Sequence, residues 1–305
     1  MTSVLKKALL GASVVFGIGA LGGGGFVTMQ VLAFDASMQK VYDTPPVDSI
    51  KASTDPSVLA RGKHLVHGIA GCAANDCHGP DLAGGETQSM GPVGTMTSPN
   101  ITPGGAVAAY SDGELARLLR YGIKRDGRSA QFMPSGEFRW MPDSELTAVV
   151  SYLRSVPPSS KPNGPLHFGP LGKVLDRQGK LVLDVARKLD GAPLEFASTP
   201  EPTARYGRFL AKSCTGCHGE HLSGGPIPGA PASLPVPLNL TPHESGMKGW
   251  TYEDFNALLL QGVRKNGQKL NAYMPIDAFK NADEVEKRAL FAYLSTLEPR
   301  PFGGR

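Results

Sequence analysis

The chain has 305 residues, of which 19% are charged and 7% are aromatic, and its formal net charge is +4. This length allows two domains of ordinary size, and so small a net charge excludes nucleic acid as a partner. Glycine (38 residues) and proline (26 residues) are abundant, which indicates a loop-rich fold whose core takes apolar bulk from something other than aromatic side chains.

The N-terminal segment is apolar. Lys6 and Lys7 are followed by residues 8–34 without a charge, until Asp35. A helix of that length crosses a hydrocarbon core of about 30 Å, so we expect residues 1–36 to form a single-pass membrane anchor. A cleaved secretory signal is the alternative, although its apolar region is usually only about 7–15 residues long. With the lysines held in the cytoplasm, either interpretation places the rest of the chain on the periplasmic side of the inner membrane.

From about residue 56, the sequence contains two copies of one module. We expect a first domain over residues 56–157, a linker over residues 158–202 and a second domain over residues 203–305. The matched positions, first copy before second, are Gly62 and Gly207, Cys-His-Gly at 77–79 and 217–219, Asn-hydrophobic-Thr-Pro at 100–103 and 239–242, Met-Pro at 133–134 and 274–275, and Tyr-Leu at 152–153 and 293–294.

Each copy is predicted to contain three helices joined by loops rich in Gly and Pro. Apolar residues at helical spacing place the first helix before the cysteines, capping boxes at Ser111 and Thr251 begin the second, and the third closes the copy. Strand signals are few, so the predicted fold class is mainly α, with two tandem domains behind an N-terminal transmembrane helix. In the linker, Leu171 to Leu189 are expected to form a basic helix that packs between the domains or lies on a membrane surface.

The four cysteines fall into two close pairs, each followed at once by a histidine: Cys72 and Cys77, then Cys214 and Cys217. A disulfide framework would scatter its cysteines, and each cluster lacks the four ligands of a structural zinc site. Cys-x-x-Cys-His is instead typical of covalent haem attachment, in which two thiols add to the porphyrin edge and the histidine points at the iron. The second pair therefore predicts a haem c with His218 as an axial ligand.

The first pair departs from the usual spacing, because four residues separate Cys72 from Cys77. An alignment on Cys77 and His78 keeps the other landmarks in register, so we interpret the pair as a second attachment site with a bulged loop. In the alternative, only Cys77 attaches the haem, and His78 is the axial ligand in either case. Two haem c groups are thus expected.

Met133 and Met274 are predicted as the opposite axial ligands, because they align with each other at matched distances beyond the two histidines. Met141 is a rival in the first copy, but its counterpart in the second copy is Ala282. A thioether ligand raises the reduction potential of a haem and fills its last coordination position. We therefore expect electron transfer and no catalysis at the iron.

Basic residues precede each methionine: Lys124, Arg125 and Arg128 in the first copy, then Arg264, Lys265 and Lys269 in the second. They flank the expected haem edge, where they can pair with propionates or steer an acidic redox partner. A solvated helix end and turn explain the same charges equally well.

On these motifs the chain resembles class I cytochrome c domains and, more narrowly, the membrane-bound cytochrome c subunits of bacterial alcohol, aldehyde and gluconate dehydrogenases. The resemblance implies an electron-transfer protein, not an enzyme, that takes single electrons from a dehydrogenase subunit or a quinol-side donor and passes them toward a terminal oxidase or a soluble cytochrome. Those subunits usually carry three haems, whereas two are expected here. The alternative is a dihaem redox enzyme, such as a peroxidase or a sulfur-compound dehydrogenase, which needs an iron with an open or displaceable ligand.

Overall fold

The computed structural model describes residues 23–75, 77–197, 199–228, 230, 233–271 and 273–305. Helix α1 is described over residues 23–37 and ends against the body of the protein. Phe34, which is 1% exposed, packs with Phe168 and Leu183 in a small apolar cluster. At the next residue, Asp35 Oδ1 lies 2.6 Å from Lys173 Nζ. The end of α1 is thus held by the segment that follows the first copy.

The predicted N-terminal transmembrane helix is wrong. Among the described residues, no helix is long and apolar enough to cross a membrane. The remainder of the predicted span, within residues 1–22, lies outside the described residues. The single-pass inner-membrane localisation depended on this helix and is contradicted with it.

The three helices predicted for each copy are present in the same order, and both copies contain additional short helices. The helices of the first copy are α2 (Pro56–His67), α3 (Asp112–Tyr121), α4 (Ser135–Phe138) and α5 (Asp143–Ser155). The segment between the copies contains α6 (Pro170–Arg177) and α7 (Val185–Leu189). Those of the second copy are α8 (Ala204–Leu210), α9 (Lys212–His218), α10 (Tyr252–Gln261), α11 (Ile276–Phe279) and α12 (Glu284–Thr296). The exact domain boundaries, 56–157 and 203–305, stay a prediction.

The middle helix of each copy begins and ends in the same way. A reciprocal capping box formed by Ser111 and Glu114 begins α3, and one formed by Thr251 and Asp254 begins α10. Each helix ends at a left-handed glycine, with φ of 67° at Gly122 and 66° at Gly262. Both predicted capping boxes are therefore confirmed.

The first and last helices of each copy cross at a glycine. A Cβ on Gly62 in α2 would overlap the carbonyl oxygen of Ala148 in α5, and a Cβ on Gly207 in α8 would overlap that of Ala289 in α12. Only glycine therefore lets the two backbones approach this closely. The aligned glycines of the sequence repeat are packing residues in both copies.

The segment between the copies lies against the first copy. Strands β1 (Gln88–Ser89), β2 (Gly94–Met96) and β3 (Leu166–Phe168) form an antiparallel sheet in the order β1-β2-β3, with Thr95 paired to Ser89 and to His167. Such short strands carry too little periodicity to be predicted.

The segment from Leu171 to Leu189, which was expected to be helical, contains two separate helices, α6 and α7. The chain turns between them at Gly179, where φ is 71°. The buried carboxylate of Asp176 then accepts hydrogen bonds from the backbone N–H groups of Leu183 and Asp184, at 2.8 and 3.0 Å. A side chain that binds backbone in this way holds the turn and prevents a continuous helix.

The two copies share one apolar core and also meet through polar side chains. His64 in α2 contacts Glu286 in α12 at 2.8 Å, and the Asn281 side-chain amide donates to the carbonyl of His67 at 2.9 Å. Helix α4 of the first copy also packs against α9 of the second. The contact between α4 and α9 brings the end of the Met133 loop to the second pair of cysteines.

Candidate functional site

The second Cys-x-x-Cys-His sequence lies within helix α9. Residues three and four positions apart share one face of an α-helix, so Cys214, Cys217 and His218 are presented together. Cys214 packs against the shared core, and burial raises the pKa of its thiol to about 12. In the described part of the chain, which holds all four cysteines, no disulfide bond joins them.

The first motif is a loop and not a helix, yet it keeps one helical contact. The His78 backbone N–H donates to the Cys72 carbonyl at 2.9 Å, and the Cys77 N–H donates to Ala74 at 3.0 Å. An α-helix pairs each N–H with the carbonyl four residues earlier, which in α9 relates His218 to Cys214. The His78 N–H therefore pairs with the carbonyl of the first cysteine of its motif, as helical pairing relates His218 to Cys214 in the second motif.

Both motif histidines are oriented by a backbone carbonyl. His78 Nδ1 lies 2.8 Å from the Pro99 oxygen, and His218 Nδ1 lies 2.6 Å from the Leu238 oxygen. A carbonyl only accepts, so Nδ1 carries the proton and Nε2 has the lone pair that binds a metal. Burial lowers the pKa of both imidazoles, against a smaller opposite effect of the carbonyl. Each histidine is thus a neutral, oriented nitrogen donor.

Asparagines anchor the segments that carry these carbonyls. The side-chain oxygen of Asn100 accepts from the N–H and hydroxyl of Thr102, and Asn239 does the same for Thr241. Their amide groups donate to carbonyls beyond the last helix of each copy, at Ser159 in the first and Arg300 in the second. The repeated Asn-hydrophobic-Thr-Pro runs therefore fix the loops that orient the histidines.

Met133 and Met274 occupy equivalent loops. The N–H of Ser135 donates to the Met133 carbonyl at 2.8 Å, and that of Ile276 donates to the Met274 carbonyl at 2.7 Å. Both thioethers are partly buried against the shared core. Met141, the rival in the first copy, is 2% exposed within that core. The assignment of Met133 and Met274 as axial ligands stays a prediction.

Glu137 was missed by the sequence analysis. It follows the Met133 loop in α4, and its carboxylate accepts a hydrogen bond from the backbone N–H of Gly216, between Cys214 and Cys217. A Cβ on Gly216 would lie 2.7 Å from Glu137 Oε1. Burial raises the pKa of Glu137 to about 8. No local pattern marks this residue, because the contact joins separate copies.

The donor set of each copy fits a covalently held haem. It combines two thiols, an imidazole whose Nε2 lone pair is available and a partly buried methionine thioether. Residues 59–157 also match the family model described as Cytochrome c. A cytochrome c domain of this kind implies haem c.

The chain is also similar to curated cytochrome subunits of dehydrogenases. The fructose dehydrogenase cytochrome subunit of Gluconobacter japonicus is 32% identical over 108 residues, which are 33% of this chain and 22% of that protein. The gluconate 2-dehydrogenase cytochrome c subunit of Pantoea cypripedii is 30% identical over 112 residues, covering 33% of this chain and 25% of that protein. The alcohol dehydrogenase (quinone) cytochrome c subunit of Gluconacetobacter polyoxogenes is 24% identical over 305 residues, covering 90% of this chain and 62% of that protein.

The chain thus spans 22% to 62% of the length of these relatives. The resemblance to cytochrome c subunits of dehydrogenases is confirmed. The expectation of an electron-transfer protein that is not itself a catalytic enzyme is confirmed at the level of these relatives, which are named as cytochrome subunits.

Proposed function

We propose that the chain is a dihaem electron carrier that takes single electrons from a dehydrogenase subunit and passes them to an oxidase or a soluble cytochrome. The observation that carries the proposal is the repeated histidine geometry. In both copies an imidazole follows a cysteine pair, and its Nδ1 is held by a backbone carbonyl at 2.8 or 2.6 Å. Two equivalent nitrogen donors support two haems.

Each copy would hold its haem with its own residues. Cys72 and Cys77 would attach the first haem, with His78 and Met133 as axial ligands. Cys214 and Cys217 would attach the second, with His218 and Met274 as axial ligands. When bound, haem c supplies a one-electron couple.

The protein residues set the properties of that couple. The carbonyls of Pro99 and Leu238 orient the imidazoles, and burial lowers the pKa of both rings and so favours their neutral form. The thioethers of Met133 and Met274 favour the reduced state and leave no open position for a substrate. A carrier follows from this ligand set more directly than a peroxidase or a sulfur-compound dehydrogenase does.

The dehydrogenase partner is proposed from the relatives, which are named as cytochrome subunits of fructose, gluconate and alcohol dehydrogenases.

Haem content and ligation test the proposal. The full chain, produced in cells that mature c-type cytochromes, should give two haems per chain in a pyridine haemochrome assay. Its oxidised spectrum should show the weak far-red band of methionine-to-iron ligation. Met133→Ala and Met274→Ala should each remove part of that band, whereas Met141→Leu, a core control, should leave it unchanged.

Each other outcome identifies the part that fails. One haem per chain would overturn the first attachment site. Two haems without the far-red band, together with cyanide binding in the resting protein, would favour a redox enzyme. Loss of the band in Met141→Leu but not in Met133→Ala would reassign the ligand of the first copy.

A further inference from the structure

The methionine side of each copy carries the same hairpin. The N–H of Lys124 donates to the Arg128 carbonyl at 2.8 Å, and that of Arg264 donates to the Gln268 carbonyl, also at 2.8 Å. Each hairpin then returns to the glycine that ends the middle helix. The two faces can therefore be compared position by position, so that one copy serves as a control for the other.

In the first copy this face is covered by other parts of the chain. Gln131 pairs with Asp184 in an isolated β-bridge, and the Phe132 N–H donates to the Leu183 carbonyl at 3.1 Å. The Ser129 hydroxyl, fully buried, accepts from the Ala186 N–H at 2.9 Å. The segment between the copies thus covers the returning strand of the hairpin and the start of the methionine loop, and this covered part of the first copy is its sealed face.

In the second copy the same face is open. Lys269 stands at the position aligned with buried Ser129 and is exposed. Leu260 and Tyr273 are also exposed, by 42% and 62%. Among the described residues, the hairpin of the second copy has only its own bridge, between Val263 and Lys269. The segment that covers Ser129 could not pack over a lysine at this position, because burial of an unpaired ammonium is costly.

The charge of the two faces differs as well. In the first copy, Asp126 lies in the hairpin and pairs with Lys124 at 3.4 Å. The aligned residue of the second copy is Asn266, so residues 264–270 contain Arg264, Lys265 and Lys269 and no acidic residue. Lys265 is partly neutralised by Asp254 at 2.8 Å. The open face therefore keeps a net positive charge.

We propose that this open face of the second copy, formed by Leu260, Arg264, Lys265, Lys269 and Tyr273, docks a redox protein that presents an acidic surface. Its basic rim provides charge complementarity, which steers encounter and sets orientation. Its exposed Leu and Tyr provide the apolar and aromatic contacts typical of an interface centre. Because Tyr273 directly precedes Met274, the partner would sit beside the methionine loop of the second copy, whereas the first copy exchanges no electrons across its sealed face. The inference rests on the proposed function for the role of Met274.

Poly-L-glutamate is a suitable probe for an acidic surface. Added to the reduced, full-length, haem-loaded protein labelled with nitrogen-15, it should shift amide resonances around Lys265, Lys269 and Tyr273 and leave residues 124–131 unchanged. Lys269→Glu should weaken binding about threefold to tenfold in a calorimetric titration. Shifts centred on the first copy, or spread over both, would overturn the proposal.

A pair of aligned residues provides the matched control. Lys265 and Arg125 each pair with the acidic residue of an equivalent capping box, Asp254 at 2.8 Å and Glu114 at 3.8 Å. Lys265→Glu should weaken binding of the probe, and Arg125→Glu should not. Equal effects would contradict the assignment to the second copy. Circular dichroism and thermal unfolding of both variants would verify that each is folded.

Two further measurements distinguish a failure of this docking surface from a failure of the proposed function. A pyridine haemochrome assay on the same samples tests the proposed function, so two haems with shifts on the wrong face would overturn only the docking surface. Fewer haems with shifts on the second copy would overturn the dihaem carrier and keep the surface. Sedimentation at low salt tests a second copy of this chain as the occupant, and a dimer abolished by Lys269→Glu would overturn the acidic partner.

Discussion

His64 Nε2 lies 2.8 Å from Glu286 Oε2, and this contact joins α2 of the first copy to α12 of the second. The Glu286 side chain is fully buried, and its other oxygen lies 3.4 Å from Arg61 Nη1. Asp283 lies 3.8 Å from His64 and 3.9 Å from Arg61, while Arg61 also pairs with Glu145 at 3.0 Å. A buried carboxylate is tolerated only with such partners, so this network fixes how the copies meet.

The first prediction concerns the pH dependence of this contact. The hydrogen bond to Glu286 raises the pKa of His64, against the opposing effect of burial. The folded protein therefore holds the His64 proton more tightly than the unfolded chain does. The resulting stability is complete below the unfolded pKa of about 6.5 and is lost as pH rises through the higher folded pKa. We expect thermal unfolding to show this fall in the wild type and to lose it in His64→Gln.

His243→Gln is the control, because His243 bonds locally to Ser245, two residues away. Its unfolding temperature should follow the wild type across the same pH range. If the unfolding temperatures of His64→Gln and wild type changed in parallel with pH, the protonation of His64 would contribute nothing to the contact between the copies.

The second prediction concerns Glu137. Burial raises the pKa of its carboxyl from 4.5 to about 8, so between these values the folded state binds a proton that the unfolded chain has released. Stability should therefore fall as pH rises from 4.5 to 8 and then level off. Glu137→Gln cannot ionise, so its unfolding temperature relative to wild type should rise with pH over this window.

Glu220→Gln provides the comparison, since the Glu220 side chain is 84% exposed. It should show no such trend. A constant difference between Glu137→Gln and wild type at every pH would show that the carboxyl remains ionised beside Gly216.

The third prediction tests the two helix crossings. Gly62→Ala and Gly207→Ala each place a methyl group against a backbone carbonyl of the last helix. The helices must separate, and we expect a loss of about 3 kcal/mol or more in the free energy of unfolding. Gly25→Ala is the control, because nothing lies within 4 Å of its Cβ and alanine favours a helix. Similar stabilities for all three variants in urea unfolding would contradict the close crossing.

The fourth prediction tests how α1 is held. Phe34 is 1% exposed and packs with Phe168 and Leu183, whereas Phe26 on the same helix is 44% exposed. Phe34→Ala should cost about 3 kcal/mol in the free energy of unfolding, and Phe26→Ala should cost less than about 1 kcal/mol. Equal effects would show that the end of α1 does not dock on the protein.

Features set by neighbouring residues were predictable from the sequence. The capping boxes at Ser111 and Thr251 are formed by residues only three positions apart, and the Cys-x-x-Cys-His motif of α9 spans five consecutive residues. The repeat itself identified Gly62 and Gly207 as equivalent, although only the structure showed that both are needed for a helix crossing.

The errors arose where local pattern and tertiary contact disagree. An apolar N-terminal run favours a membrane span by composition, whereas Phe34 and Asp35 are held by Phe168 and Lys173 of the same chain. The composition of the linker favoured a helix from Leu171 to Leu189, but the buried Asp176 carboxylate binds two backbone N–H groups and turns the chain between α6 and α7.

The sequence alone determined the helical class, which the structure confirms, and it predicted the two-copy organisation and the haem attachment, because each depends on residue types at short, repeated spacings. Only the tertiary structure decided how the copies join through His64 and Glu286, which carboxyl lies beside Gly216, and which methionine face is open. These features depend on contacts between residues far apart in the chain, whose energies come from burial and packing and leave no local periodicity.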